Sequence, residues 1–194
     1  IPINVTLLFS REQYVAAADA FLRGVERRIA AGLSPDVGSV ASVFVSRWDT
    51  AVAGKVPAGL YNQLGIAAAN RTYKAYRDLL ASPRWQRVYN LGARPQRLLW
   101  ASTGTKDPKA SDILYIKSLA APFTVNTMPE GTLKALAAHT ELGELLPADG
   151  GDCEKVLAEF AAAGIDVDAL AAQLQDEGAK SFVGSWNDLM AVIS

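Results

Sequence analysis

Four short apolar runs of β-type residues, each followed by a stretch with helical periodicity, set the rhythm of the chain. The first, Ile3-Asn4-Val5-Thr6-Leu7-Leu8-Phe9-Ser10, reads as a strand. A run this apolar is expected to be buried on both faces, as in a parallel sheet, with its closing serine capping the next helix. Such a strand needs a neighbour on each side. Because it starts within two residues of the first one and no initiator methionine precedes it, the sequence is expected to be the second part of something larger. Ser10 and Gln13 form a capping-box pattern, and Tyr14, Phe21, Leu22, Val25 and Ile29 recur at helical spacing up to Gly32. After a Ser-Pro-Asp turn, Val40-Ala41-Ser42-Val43-Phe44-Val45 reads as a second buried strand that feeds a polar loop, Ser46-Arg47-Trp48-Asp49.

Residues 61–80 again suit a helix, with Lys74, Arg77 and Asp78 on its wet face and Pro83 as punctuation. A short helix over 84–91 is expected before Gly92. Arg97-Leu98-Leu99-Trp100-Ala101 then reads as a third strand, and Ser102-Thr103-Gly104-Thr105-Lys106-Asp107-Pro108 has the composition of a loop. Ile113, Leu114, Ile116 and Leu119 allow a helical turn or two, closed by Pro122 before a fourth short strand, Phe123-Thr124-Val125-Asn126-Thr127. Pro129 at a first helical position starts a helix through Leu136. Past the Pro-Ala-Asp-Gly-Gly linker at 147–151, three helical patterns follow, over 156–160, 170–174 and 182–192.

Strands alternating with helices at this spacing predict an α/β fold with a parallel sheet and right-handed crossovers. Four strands are half the number in a closed (β/α)₈ barrel, and the chain is shorter than the ~250 residues typical of one. A half-barrel in one domain, residues 1–194, with a helical tail at the carboxyl end is therefore expected. A small doubly wound sheet is the structural alternative, although no glycine fingerprint follows any strand.

Composition narrows the partners. With 19 basic and 20 acidic side chains the formal charge is −1, which leaves no electrostatic footprint for nucleic acid or an anionic membrane. One cysteine, Cys153, excludes an internal disulfide and suits a reducing compartment. No apolar run approaches the roughly 18 residues of a membrane span, and Ile1-Pro2 does not begin a signal peptide. A cytoplasmic location is expected, with no metal site.

Candidate chemistry lies just beyond the carboxyl ends of the strands, the edge that carries ligands in either architecture. Arg47 follows the second strand, Ser102 to Lys106 the third, and Asn126-Thr127 close the fourth. Cations, hydroxyls and backbone amides on one rim suit a phosphate monoester, while surface cations of structural unimportance are the competing reading. Asn4, Thr6 and Ser42 are polar side chains inside apolar strands, and alternation puts Asn4, Thr6 and Leu8 on one face. Either other protein groups or a polyhydroxylated ligand must satisfy them. His139 has no acidic partner in the local pattern and reads as a solvent-facing residue at a helix end. Lys117 reads as a snorkelling helix lysine, Cys153 as a spectator thiol, and Trp48, Trp85, Trp100 and Trp186 as packing.

Four blocks carry a resemblance. Ile3-Asn4-Val5-Thr6-Leu7-Leu8-Phe9-Ser10, Ser42-Val43-Phe44-Val45-Ser46-Arg47, Leu99-Trp100-Ala101-Ser102-Thr103-Gly104-Thr105-Lys106-Asp107-Pro108 and Thr124-Val125-Asn126-Thr127-Met128-Pro129 resemble the transaldolases, in order and over nearly the whole chain. The resemblance implies the carboxyl-terminal half of a (β/α)₈ barrel, strands five to eight, in an enzyme of the pentose phosphate pathway. Such enzymes move a dihydroxyacetone unit from a ketose phosphate to an aldose phosphate through a lysine Schiff base, with no metal or organic cofactor. By resemblance Thr6 holds the catalytic water, Asn4 and Ser42 bind sugar hydroxyls, Arg47 and Ser102 bind phosphate, and Lys106 occupies the loop of a further cationic phosphate ligand. The Schiff-base lysine belongs to the strand before Asn-Val-Thr, and the catalytic acids lie earlier still. The resemblance thus implies that this chain is inactive alone and that its partner is the amino-terminal half of the same enzyme or another copy of itself. A half-barrel without catalysis, binding sugar phosphate or self-associating, is the other reading.

Overall fold

In the computed structural model, which describes residues 2–139, 141 and 143–193, parallel pairing in chain order organises the fold. Ile1 and Ser194, the ends of the expected domain, lie outside the described residues, as do Thr140 and Leu142. The elements are β1 (Ile3–Leu8), α1 (Arg11–Ala30), β2 (Ser39–Phe44), α2 (Ser46–Val52), a 3₁₀ turn (Ala58–Leu60), α3 (Leu64–Ala81), α4 (Pro83–Asn90), β3 (Gln96–Ala101), α5 (Leu114–Ser118), β4 (Thr124–Asn126), α6 (Glu130–Ala138), α7 (Cys153–Ala162) and α8 (Val167–Ile193).

The sheet runs β1-β2-β3-β4, all parallel, with Asn4 opposite Val40, Ser42 opposite Leu99 and Leu98 opposite Thr124. A doubly wound sheet reverses its strand order at a switch point. Sequential order without reversal is that of successive units in a β/α barrel, so the architecture is the expected partial barrel.

Local chemistry explains the element boundaries. Ser10 accepts from the Gln13 amide at 3.2 Å while Gln13 Oε1 accepts from the amides of Phe9 and Ser10 at 2.7 and 3.2 Å, the capping box expected of α1. Ser82 caps α4 through the Trp85 amide at 3.2 Å, and Pro83 sits in its first turn. Pro129 stands one position earlier than expected, as the N-cap of α6. The two last helical patterns join into the single 27-residue α8.

One core lies between the outer sheet face and α1, α3 and α5, built on Leu8, Tyr14, Val43, Tyr73, Leu98 and Trp100. A second joins Leu7, Phe9 and Trp48 to α3, α7 and α8 at the carboxyl end of the strands. Trp48, Trp85 and Trp100 pack as expected, and the Trp100 indole donates to the Leu119 carbonyl at 3.0 Å. Trp186 does not: it is 60 % exposed, because α8 runs past the surface it packs on.

Three further expectations are corrected. The first strand is not buried on both faces: Ile3, Asn4 and Thr6 are exposed and only Leu7 and Leu8 are buried, since β1 is an edge of this sheet and its inner face is open. Leu8 does not share the face of Asn4 and Thr6. The register slips between Val5 and Leu8, with Leu7 at φ +58°, so Leu8 opposes Val43 and joins the outer core on the side of Val5. Ser46-Arg47-Trp48-Asp49 is not a loop but the first turn of α2. Burial of Trp48 and Val52, one helical turn apart, and of the Asp49 carboxylate outweighs its weak local signal.

Away from the strand ends, Arg84 joins α4 to α1, donating to both oxygens of Glu26 at 2.8 and 2.7 Å and to Asp19 at 2.6 Å. These bonds hold both carboxyls below their ordinary range. Carboxyls depressed in the folded state stabilise it above their unfolded values, and that contribution is lost as pH falls through and below about 4. Replacing Arg84 with methionine is therefore expected to lower the urea midpoint at pH 7, with the gap between the two proteins closing towards pH 3.

Candidate active site at the carboxyl rim

The sheet places its polar residues in two groups. Ser42, buried in β2, donates from Oγ to Asn4 Oδ1 at 2.6 Å across the β1–β2 pair. A protein group thus satisfies the serine, and the exposed Asn4 keeps its amide donors for another partner. Thr6 is exposed on the same strand, two positions further along.

The second group forms where β2 and β3 end. Pairing continues past both strands, from the Val45 amide to the Ala101 carbonyl at 3.0 Å and from the Ser46 amide to the Ser102 carbonyl at 2.9 Å. The hydroxyls of Ser46 and Ser102 then lie 2.9 Å apart. Ser102 adopts φ +56°, a left-handed conformation that costs a non-glycine residue and recurs at functional sites. Next to it, Thr103 Oγ1 lies 2.9 Å from Asn126 Oδ1 and 2.7 Å from the Thr127 carbonyl, tying the end of β3 to that of β4.

Arg47, the residue after Ser46, rests its guanidinium over the Phe44 ring, 5.1 Å from the centroid. On its other side passes α8. A Cβ added at Gly178 would come within 2.7 Å of Leu7 Cδ2 and 3.2 Å of Arg47 Nη1, so a larger residue there would have to push both side-chain ends aside. Gln175 anchors the same turn by donating to the Leu7 carbonyl at 2.9 Å.

Beneath this rim sits Asp49, a buried carboxylate. It accepts from the Leu64 amide at 2.9 Å, from the Gly65 amide at 3.3 and 3.4 Å, and from the Tyr115 hydroxyl at 2.8 Å. Burial pushes its carboxyl up, opposed by the Tyr115 and amide hydrogen bonds that favour the charged form. Gly65 makes the contact sterically possible, since a Cβ there would lie 2.5 Å from the Val45 carbonyl oxygen. A cavity of about 610 Å³ opens beside it, bordered by Ser46, Asp49, Asn62, Lys106, Asp107 and Tyr115. Lys106 is exposed, and it meets the other candidates only through Ser46, which borders the cavity and touches Ser102.

The structure thus brings Asn4 to Ser42 and Ser102 to the Arg47 turn, with Thr6 and Lys106 on the margins. Sequence reasoning passed over Ser46, Asp49, Tyr115 and Gly178. Ser46 and Asp49 have helical i, i+3 spacing, a signal that the polar composition of 46–49 masks. Gly178 carries no local signal at all. Elsewhere, Cys153 is buried and burial pushes its thiol up, which suits an inert side chain. Lys117 is half-buried. His139 is not without an acidic partner: its Nε2 lies 3.2 Å from Asp112 Oδ1, a residue distant in sequence. Among the described residues no cluster of histidine, cysteine and carboxylate side chains is arranged to hold a metal, and no helix is long and apolar enough to cross a membrane.

Successive parallel β/α units, with hydroxyls, an arginine and an amide at their carboxyl ends, define part of a β/α barrel. The family described as transaldolase/fructose-6-phosphate aldolase matches residues 1–193, and the chain belongs to it. It is 43% identical over 203 residues to the transaldolase of Frankia alni and 44% identical over 202 residues to that of a Parafrankia species; both matches take in all of this chain and 55% of the relative. Against the transaldolase of Thermobifida fusca the identity is 42% over 199 residues, covering 98% of this chain and 54% of that protein. The chain spans about half the length of the curated relatives it matches.

Removing the Asp49 carboxylate strands two amides and a buried phenol, at roughly 1–3 kcal/mol per unsatisfied group. Asp49→Ala is expected to lower the unfolding free energy by at least about 3 kcal/mol, and Gly65→Ala to destabilise through its clash, each measured by urea titration followed by circular dichroism.

Proposed function

We propose that this chain forms the ketose-phosphate-binding half of a transaldolase site. In this reading the complete enzyme moves a dihydroxyacetone unit from a ketose phosphate to an aldose phosphate, in the cytoplasm and within the pentose phosphate pathway. The observation that carries the reading is the Ser46–Ser102 hydroxyl pair next to Arg47, at the end of two paired strands. A guanidinium and hydroxyl donors complement a phosphate dianion, and Lys106 adds a cation at the cavity edge. Asn4, oriented by the hydrogen bond from the buried Ser42, faces the sugar hydroxyls. Thr6 orients the water through which protons move.

The amine that forms the Schiff base is supplied by the complementary half, covalently joined to this chain or separate. Its attack on the ketose carbonyl expels water and gives an iminium. The iminium accepts the electron pair of the breaking carbon–carbon bond while the neighbouring hydroxyl loses its proton, and the fragment carrying it departs as an aldose phosphate. The enamine left behind adds to the acceptor aldehyde, whose oxygen takes up a proton, and water hydrolyses the new iminium to free the ketose product and the amine. No cofactor is called for. Residues 1–194 alone are inactive in this reading, because they bind substrate without supplying that amine.

Two measurements test it. Incubation with fructose 6-phosphate followed by borohydride is expected to leave the mass of this chain unchanged and to trap the sugar on the complementary half of the assembled enzyme. An adduct on a lysine of this chain would sink the assignment. In the assembled enzyme, Arg47→Ala is expected to raise KM for the sugar phosphate about ten- to a hundredfold, the loss of one or two charge-assisted bonds, with a much smaller change in kcat. An unchanged KM would remove Arg47 from the phosphate site.

A further inference from the structure

Lys106 borders the rim cavity together with Ser46 and with two carboxylates, Asp49 and Asp107. It pairs with neither of them. The Asp49 oxygens take the Leu64 and Gly65 amides and the Tyr115 hydroxyl, and none of the ion pairs among the described residues includes Lys106. Asp107 is its immediate neighbour in the chain, and adjacent opposite charges do pair elsewhere in this molecule, where Arg11 donates to Glu12 at 2.8 Å. Something therefore holds the Asp107 carboxylate away.

Both of its oxygens are engaged. Oδ2 accepts from the Asn62 side-chain amide at 2.8 Å, a residue 45 positions away, and Oδ1 accepts from the backbone amide of Lys109 at 2.9 Å. Of the two, only the Asn62 bond comes from another part of the chain. It is also the leading cause that holds the Asp107 carboxyl below its ordinary range, so this group is charged at neutral pH and able to neutralise a cation. Asn62 follows the 3₁₀ turn at φ +62°, a left-handed conformation that asparagine adopts more readily than most side chains but still at a cost. Backbone strain of this kind recurs at functional sites. On the other side, Thr105 Oγ1 donates to the Ser111 carbonyl at 2.8 Å and closes the Lys106 loop on itself.

The geometry points to Asn62 as a positioning residue that keeps the Asp107 carboxylate off Lys106 and so leaves the Lys106 ammonium to the phosphate of the substrate. The inference rests on the reading that a sugar phosphate binds at this rim. It explains how a lysine followed directly by an aspartate still presents an uncompensated positive charge to the cavity. Without the Asn62 amide, Asp107 turns to Lys106, and a phosphate must then compete with an internal anion for the same ammonium.

A double-mutant cycle in the assembled enzyme tests it, read as KM for fructose 6-phosphate and as the inhibition constant of inorganic phosphate. Asn62→Gly removes the amide while glycine keeps the left-handed backbone, and it is expected to raise both constants about fivefold, the scale of one exposed ion pair. Adding Asp107→Asn, which removes the competing charge, is expected to restore both. Asp107→Asn by itself is expected to move them far less than it does in the Asn62→Gly background. In a Lys106→Met background Asn62→Gly is expected to have no further effect. Equal effects of Asp107→Asn with and without Asn62 would overturn the inference, and so would a rise on Asn62→Gly that Asp107→Asn does not reverse. Constants raised by Lys106→Met but unmoved by Asn62→Gly would overturn it and leave the proposed function standing. Constants unmoved by Lys106→Met would also overturn it, and if Arg47→Ala leaves them unmoved as well, the phosphate site falls with it.

Discussion

The Asp49 carboxylate is the constraint on which the rim depends. It sits in the first turn of α2 and binds the first amides of α3 together with the Tyr115 hydroxyl, so one buried carboxyl group joins three elements. The amides it uses belong to a helix amino terminus, where unpaired donors and the helix dipole favour negative charge. Burying a carboxylate is costly, and these donors offset that cost by replacing its water. With α2 fixed in this way, Ser46 has one position relative to Ser102 and Arg47 one direction between Phe44 and α8. Geometry at the rim is thus set from below, by a group that does not itself need to meet a ligand.

The sequence predicts the strands, their order and the helix caps well because each depends on near neighbours. Ser10 and Gln13 satisfy one another over three residues, and the four apolar runs are separated by enough chain for parallel crossovers. The candidate residues Asn4, Ser42, Arg47 and Ser102 are legible for a related reason: polarity inside an apolar strand, or just after one, is conspicuous locally. What escaped depends on distance in the chain. A helix at 46–52 is not visible in its own composition, since it is held by Trp48 and by the partners of Asp49. The rotation of Leu8 to the outer face comes from one extra residue in β1, which alternation alone does not reveal. Trp186 escapes as well, because periodicity tells that a helix has an apolar face and does not tell whether anything lies against it.

Burial across the molecule is uneven in a way that follows the sheet. The outer face is covered by α1, α3 and α5 and contains the buried Trp100, Tyr14, Tyr73 and Tyr76, whereas the inner face keeps Asn4 and Thr6 accessible at β1. In a β/α architecture the helices solve the outer-face problem for each unit as it forms, while the inner face is shared among all strands of the barrel. Stability of the scaffold and composition of the site are consequently supplied by different surfaces. Substitutions in the outer-face core are expected to act on folding.

The irregularity at Leu7 has a reach beyond its strand. By stepping out of the regular register it sends the Leu7 side chain to the core with Trp48 and leaves its carbonyl to Gln175 of α8. A single extra residue therefore works as a mechanical joint between the first strand and the last helix, 168 positions away. Length variation at this point of the chain is for that reason not a local event. Deleting one residue between Val5 and Leu8 would straighten the strand and, in the same step, unfasten the carboxyl-terminal helix from the side of Arg47.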